Sequence, residues 1–213
     1  MRFGSSLPVR IKQCTSPSPA HLDTSTLAGC LPPLTQALEL FDHFARCMHP
    51  TFAVLHIPST RTLIHDMYQT IAEGGNVDSP GLALLFTIFA GAALAWTTEM
   101  LDTLHATHQE AKTAFSTYST IALHILTNRQ HVLPSSTLTL QAISTLCFVL
   151  SHSDGSSQDV QTLRIRELLT ARGLQIHRLD APRRREARML GGENAIELEV
   201  QRRLWWHIVS SDW

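Results

Sequence analysis

The chain has 213 residues, of which 44% are hydrophobic and 16% charged, and a formal net charge of -1. That is enough apolar content for one domain with a sizeable core, and it excludes a protein that binds polyanions through its overall charge. The charge is unevenly spread, with lysine only at Lys12 and Lys112 and arginines crowded between Arg164 and Arg203, so the last third can be locally basic.

Residues 1–30 are rich in serine, threonine and proline and lack an apolar period, which predicts a flexible leader. Arg2, Arg10 and Lys12 invite a transit-peptide reading, but no sustained amphipathic helix accompanies them. From Pro33 the apolar positions Leu34, Ala37, Leu38, Phe41, Phe44, Ala45 and Met48 fall at helical steps, so a helix opens at Pro33 and closes before Pro50. Pro50 and Pro58 bracket an extended crossing. Pro58 opens a second helix with Leu63, Ile64, Met67 and Ile71 inward, ended by Gly74 and Gly75.

Ser79 and Pro80 read as the cap and first turn of a third helix, whose run GLALLFTIFAGAALAW is apolar nearly all round. It falls short of the roughly 20 residues of a membrane span, and it predicts a central buried helix in which Gly91 admits a close neighbour. Ala111, Ala114, Phe115, Tyr118, Ile121, Ala122 and Ile125 mark the next helix. Leu133 to Ser136 is a loop and cap before another, carrying Leu138, Ala142, Ile143, Leu146 and Leu150. SHSDGSS is a turn, and Ser157 caps a helix with Val160, Leu163 and Leu168 that stops near Gly173. The pattern is all-α, a multi-helix domain of packed antiparallel helices over residues 31–213. No repeat of fixed period is present.

The loop from Arg178 to Gly192 holds Arg183, Arg184, Arg185 and Arg188 beside Pro182. A solvated loop is its plainer reading; a nuclear import signal or a phosphate contact is the functional one. The last stretch, ELEVQRRLWWHIVSSDW, follows Ile196 with Val200, Leu204 and Ile208 at four-residue spacing. Trp205 and Trp206 project about 100° apart, which predicts a helix gripped from two sides. Alanine at either tryptophan should then cost about 3 kcal/mol or more if that side chain is buried. Glu199 stands four residues before Arg203, an exposed ion pair of about 0.3 kcal/mol.

These residues carry a family resemblance. Arg202, Arg203, Trp205, Trp206 and Asp212 resemble the basic run, tryptophan pair and aspartate of the fungal-specific transcription factor domain, the helical middle region of fungal binuclear zinc cluster regulators. Leu31, Pro32, Phe44, His49, Pro50, Phe52, His56 and Pro58 match the start of that domain, and Leu174, Ile176 and His177 match a later string in which Gln175 stands for the usual glycine. Trp213 stands where arginine is usual, and the sequence stops inside what the resemblance implies is a continuing helix, so the domain is expected to be incomplete and truncated at its C-terminus. The resemblance implies a nuclear regulator of RNA polymerase II transcription. It further implies DNA binding through a zinc cluster absent from this chain, a small-molecule effector in an interhelical pocket, and co-regulators or transcription machinery as partners. An incompletely covered final helix would favour association, including a homodimer.

The zinc cluster needs six closely spaced cysteines, whereas Cys14, Cys30, Cys47 and Cys147 are scattered without a C-x-x-C pair or a secretory signal. A reduced intracellular protein with ordinary thiols follows, with no cofactor of its own and zinc only in the missing cluster. Of the 12 histidines, His105 and His108 sit three apart, a spacing that on one helix can face a metal. No second ligand pair accompanies them, and a surface pair is the plainer reading. His43 and His49 do not share a face, and His65 is only a sequence neighbour of Asp66. There is no G-x-S-x-G, no glycine-rich phosphate loop and no H-E-x-x-H. HSDGSS holds triad letters in one turn, which is not a triad, and Cys147 in its apolar helix reads as packing. No enzyme and no catalytic, cofactor or metal residues are expected. The alternative to a transcription regulator is a helical protein-interaction or ligand-sensing domain without DNA binding.

Overall fold

A computed structural model describes residues 24–128, 132–153, 157–182 and 194–211. Among these residues the fold is all-α, with helices α1 (Thr24–Ala28), α2 (Leu34–Cys47), α3 (Ile57–Ala72), α4 (Ser79–Leu94), α5 (Thr98–Leu104), α6 (His108–Thr127), α7 (Thr137–Ser153), α8 (Gln158–Gly173) and α9 (Ala195–Ser211), and a 3-10 turn at Ile176–Arg178. The short α1 lies inside the stretch read from sequence as leader, and its Leu27 and Ala28 are buried. Two adjacent apolar residues are too few to show a period. Residues 1–23 lie outside the described residues.

Helix α4 is the centre. Every residue from Pro80 to Ala93 is buried, because α2, α3, α6 and α7 all pack on it. A helix apolar on all sides can be stable in water only when neighbours cover every face. Gly91 makes the tightest of these approaches possible: a Cβ there would stand 2.7 Å from the Phe44 ring and 3.1 Å from Val149. Its start differs in detail from the sequence expectation. Asp78 is the cap, its carboxylate accepting from the Gly81 amide at 2.9 Å, while Ser79 and Pro80 occupy the first turn.

The remaining helices are set by equally local chemistry. His56 caps α3, its Nδ1 accepting from the Ser59 amide at 3.4 Å, and Pro58 follows in the first turn. Thr107 and Glu110 form a reciprocal capping box at α6. Ser136 and Ser157 cap α7 and α8 through the amides of Thr139 and Val160. Helices α7 and α8 pack together across a short connection as a hairpin. The connection between α2 and α3, expected to be extended throughout, first turns over residues 48–51, where the Thr51 and Phe52 amides donate to the Met48 carbonyl, and is then pinned inside. Its Phe52, Val54 and Leu55 are buried, Gln141 donates to the Val54 carbonyl at 2.9 Å, and the His49 ring bonds the Leu55 carbonyl. No single described helix is long and apolar enough to cross a membrane.

Candidate functional site

Helix α9 packs on α7, α8 and the 3-10 turn, and its three buried apolar residues Val200, Leu204 and Ile208 are the ones that the four-residue spacing predicts. Ile196, the first of that series, is 45% exposed. On the adjoining face His207 enters an aromatic cluster, edge-on to Phe52 at 4.4 Å, while Phe52 stacks on Phe148 at 4.4 Å. Burial there pushes the His207 imidazole down to about 4, with the Arg164 guanidinium adding to the effect. The neutral ring behaves as an aromatic packing element.

The tryptophan pair divides as helix geometry requires, but not with two grips. Trp205 packs against the core and faces His177 at 5.9 Å, whereas Trp206 points outward and is 70% exposed. The expected two-sided hold is therefore corrected to one side, because no described element lies over the outer face of α9. Arg202 reaches back to Asp180, its Nε meeting both carboxylate oxygens at 3.1 and 3.2 Å and Nη2 meeting one at 3.0 Å. Arg203 pairs with Glu199 at 2.9 Å, as its spacing predicts. Asp212, and the arginines Arg183, Arg184, Arg185 and Arg188, lie outside the described residues.

At its N-terminal end α9 borders a cavity of about 390 Å³, within the usual range of small-molecule sites of about 300–1,000 Å³. Its apolar wall is Leu63 of α3, Leu84 of α4, Leu138 of α7, and Ile196 and Val200 of α9. Apart from Gln141 in the second turn of α7, its polar groups come from the starts of three helices: His56, Ser59 and Thr60 at α3, Ser136 and Thr137 at α7, and Asn194 and Glu197 at α9. Helix starts carry orphan amides and a partial positive charge. Glu197 answers two of these ends at once, since it stands in the first turn of α9 and accepts a 2.9 Å hydrogen bond from the first residue of α7, Thr137. Gln201 in turn donates to the Thr137 hydroxyl at 2.8 Å. Sequence reading names several of these residues, among them His56, Leu63, Ser136, Leu138, Ile196 and Val200, but as caps, core positions or family matches and not as one site, because the helices that supply the walls run from α3 to α9 and only the fold brings them together.

A second polar feature lies between α7 and α8. Glu167 is 3% exposed and accepts from the Ser144 hydroxyl, and burial pushes its carboxyl up to about 7 against the opposing pull of that hydroxyl and of Arg164. Cys147, also buried, has its thiol raised by the same desolvation, which makes it a packing residue. The histidines do not assemble. His105 ends α5 in a left-handed conformation and His108 begins α6, so they share no helix; His108 lies against the Trp96 ring at 4.1 Å. His43 is buried with its Nε2 on the Ala95 carbonyl at 2.7 Å, and His65 and Asp66 are exposed neighbours on α3. Among the described residues no group of three or more His, Cys, Asp or Glu could hold a metal.

The fold is that of a helical domain with a cavity on one side, beside the start of α9. Comparison with known proteins gives it a context. The chain is 30% identical over 200 residues to "Probable transcription factor lepB" of Aspergillus flavus, covering 93% of this chain and 35% of that protein. It is 28% identical to the agnestins biosynthesis cluster transcription factor AgnL11 of Paecilomyces divaricatus, covering 90% of this chain and 28% of that one. It is 27% identical to transcription factor TAS2 of Pyricularia oryzae, covering 86% of this chain and 24% of that one. These relatives are all fungal proteins named as transcription factors, and the chain spans about a third of their length or less. No family model matches the chain, and no solved structure matches it.

Proposed function

We propose that this chain is the regulatory helical part of a fungal transcription factor that controls RNA polymerase II transcription in the nucleus. The observation that carries the reading is that nearly the whole chain aligns with three fungal proteins named as transcription factors, yet spans only about a quarter to a third of each. DNA reading is assigned to a zinc cluster elsewhere in the whole protein, since the four scattered cysteines here cannot ligate one. The helical domain then acts on transcription indirectly, by presenting or withholding surfaces that co-regulators or the transcription machinery bind. Its chemistry supports binding better than catalysis, for the buried acid Glu167 and the buried thiol Cys147 face packing partners and not a substrate cleft.

The test is a fusion of the full chain to a heterologous DNA-binding domain, read on an RNA polymerase II reporter. The fusion is expected to raise or lower reporter output relative to the DNA-binding domain alone. Output equal to that control, with the fusion expressed and folded, would count against the reading.

A further inference from the structure

The cavity beside α9 has an electrostatic character that narrows what it can hold. Its floor is apolar, formed by Leu63, Leu84, Leu138 and Val200. At its mouth the formal charge is the Glu197 carboxylate, so an anionic occupant would meet a like charge. Three helix starts also converge there, so a cationic occupant would meet three partial positive ends. An uncharged molecule avoids both. From this geometry we infer that the cavity binds an uncharged amphipathic small molecule, its apolar body on the leucine floor and a hydroxyl or amide N–H donating to Glu197, and that binding clamps the first two turns of α9 onto α3. The inference rests on the regulatory reading above for its biological meaning, but not for its chemistry.

The clamp follows from how α9 is held. Its first turns join the body through the buried Val200, the partly buried Leu198 and the Thr137 hydrogen bonds to Glu197 and Gln201, while Ile196 is left 45% exposed on the cavity wall. A molecule seated between Ile196 and Leu63 removes apolar surface on both helices from water at once. Occupancy therefore favours the state in which the start of α9 is docked, by the ligand's differential affinity for that state. The polar outer side of α9, with Arg203 and Trp206, is held still as a result.

Nile red, an uncharged fluorescent dye, is the probe, titrated into the purified full chain. Ile196→Trp and Ser59→Trp fill the cavity from opposite walls at exposed positions, and each is expected to weaken binding about tenfold or more. Glu197→Gln is expected to leave Nile red affinity nearly unchanged and to raise binding of the anionic dye anilinonaphthalene sulfonate. Hydrogen exchange across residues 195–204 is expected to slow when Nile red is bound. Equal Nile red binding by the wild type and both folded tryptophan variants would overturn the site. Loss of binding on replacing the exposed α8 residues Ile165 or Leu169 with serine would place the dye elsewhere and overturn it too. Unchanged exchange in α9 on binding would overturn the clamp. Dye binding through this wall with a silent reporter fusion would sink the transcription reading alone, whereas an active fusion without dye binding would sink only the site.

Discussion

Helices α4 and α9 are nearly the same length, 16 and 17 residues, yet they are held in opposite ways. Helix α4 is enclosed by apolar contact on every side, while α9 rests on one strip of three buried residues and is tied at its edges by polar contacts to Asp180 and Thr137 and by the ring contact of His207 with Phe52. Contact area without polar partners gives depth but no adjustability. The edge contacts of α9 are individually weak, with exposed ion pairs of about 0–1 kcal/mol each, so its docking can be tuned by small changes. The core specifies the fold, and the margin is where a signal can act.

Four experiments break or sharpen that contrast. Phe86→Ala removes a fully buried ring of α4 that lies against Tyr118 at 5.9 Å, and is expected to cost about 3–5 kcal/mol in a urea titration; a loss below about 1 kcal/mol would mean that α4 is not enclosed.

The second concerns the buried polar groups. Glu167, at about 7 in the folded chain against an ordinary 4.5, keeps a proton there that the unfolded chain has lost. Stability is full below the unfolded value and falls as pH rises through that window, by up to about 3 kcal/mol. His207, at about 4 against an ordinary 6.5, works the other way: the unfolded chain holds the extra proton, so stability is lost as pH falls from 6.5 towards 4. The two slopes oppose each other over much of the same range. Glu167→Gln should therefore leave stability rising between pH 4 and 6.5, and His207→Phe should leave it falling with pH. Urea titrations across pH in which neither replacement changes the slope would remove both assignments.

Third, the adjacent tryptophans should part company. Trp205→Ala is expected to lose about 2 kcal/mol, less than for a fully buried ring, and Trp206→Ala to stay within about 0.5 kcal/mol, as for exposed positions generally. Equal losses would restore the two-sided grip. The fourth is Gly91→Ala, where crowding of Phe44 and Val149 costs about 1–3 kcal/mol and the gain in helix propensity returns about 1 kcal/mol. A net loss of about 1 kcal/mol is expected, and a stabilised variant would show that Phe44 can give way.

What could be read from the residues alone follows the same division. Periodicity and caps located α2, α3, α4, α6, α7 and α8 because each buries a face large enough to leave a pattern, and Gly91 could be named as a point of close approach because small residues interrupt an otherwise bulky run. Helix α5, seven residues long, escaped because Met100 and Leu101 are too few to form a period, although Thr97 was available as its cap. Asp78 was passed over for Ser79 because both are good caps and only backbone geometry separates them. The outward turn of Trp206 could not be read, since a tryptophan's size argues for burial and only the tertiary neighbours decide which of two adjacent rings receives it. The cavity was illegible for a further reason: no periodic pattern marks a space that helix starts enclose from afar.

The enclosure of α4 has a consequence for synthesis. Its partners α2 and α3 are made before it, but α6 and α7 come after, so about 60 residues separate the end of α4 from the completion of α7 at Ser153. At roughly 5–20 residues per second, the ribosome carries an apolar helix without its α6 and α7 cover for about 3–12 s on each round. Chains released between residues 95 and 136 would present that helix to any chaperone or to one another, and the newborn protein becomes safe to release only once α7 has arrived.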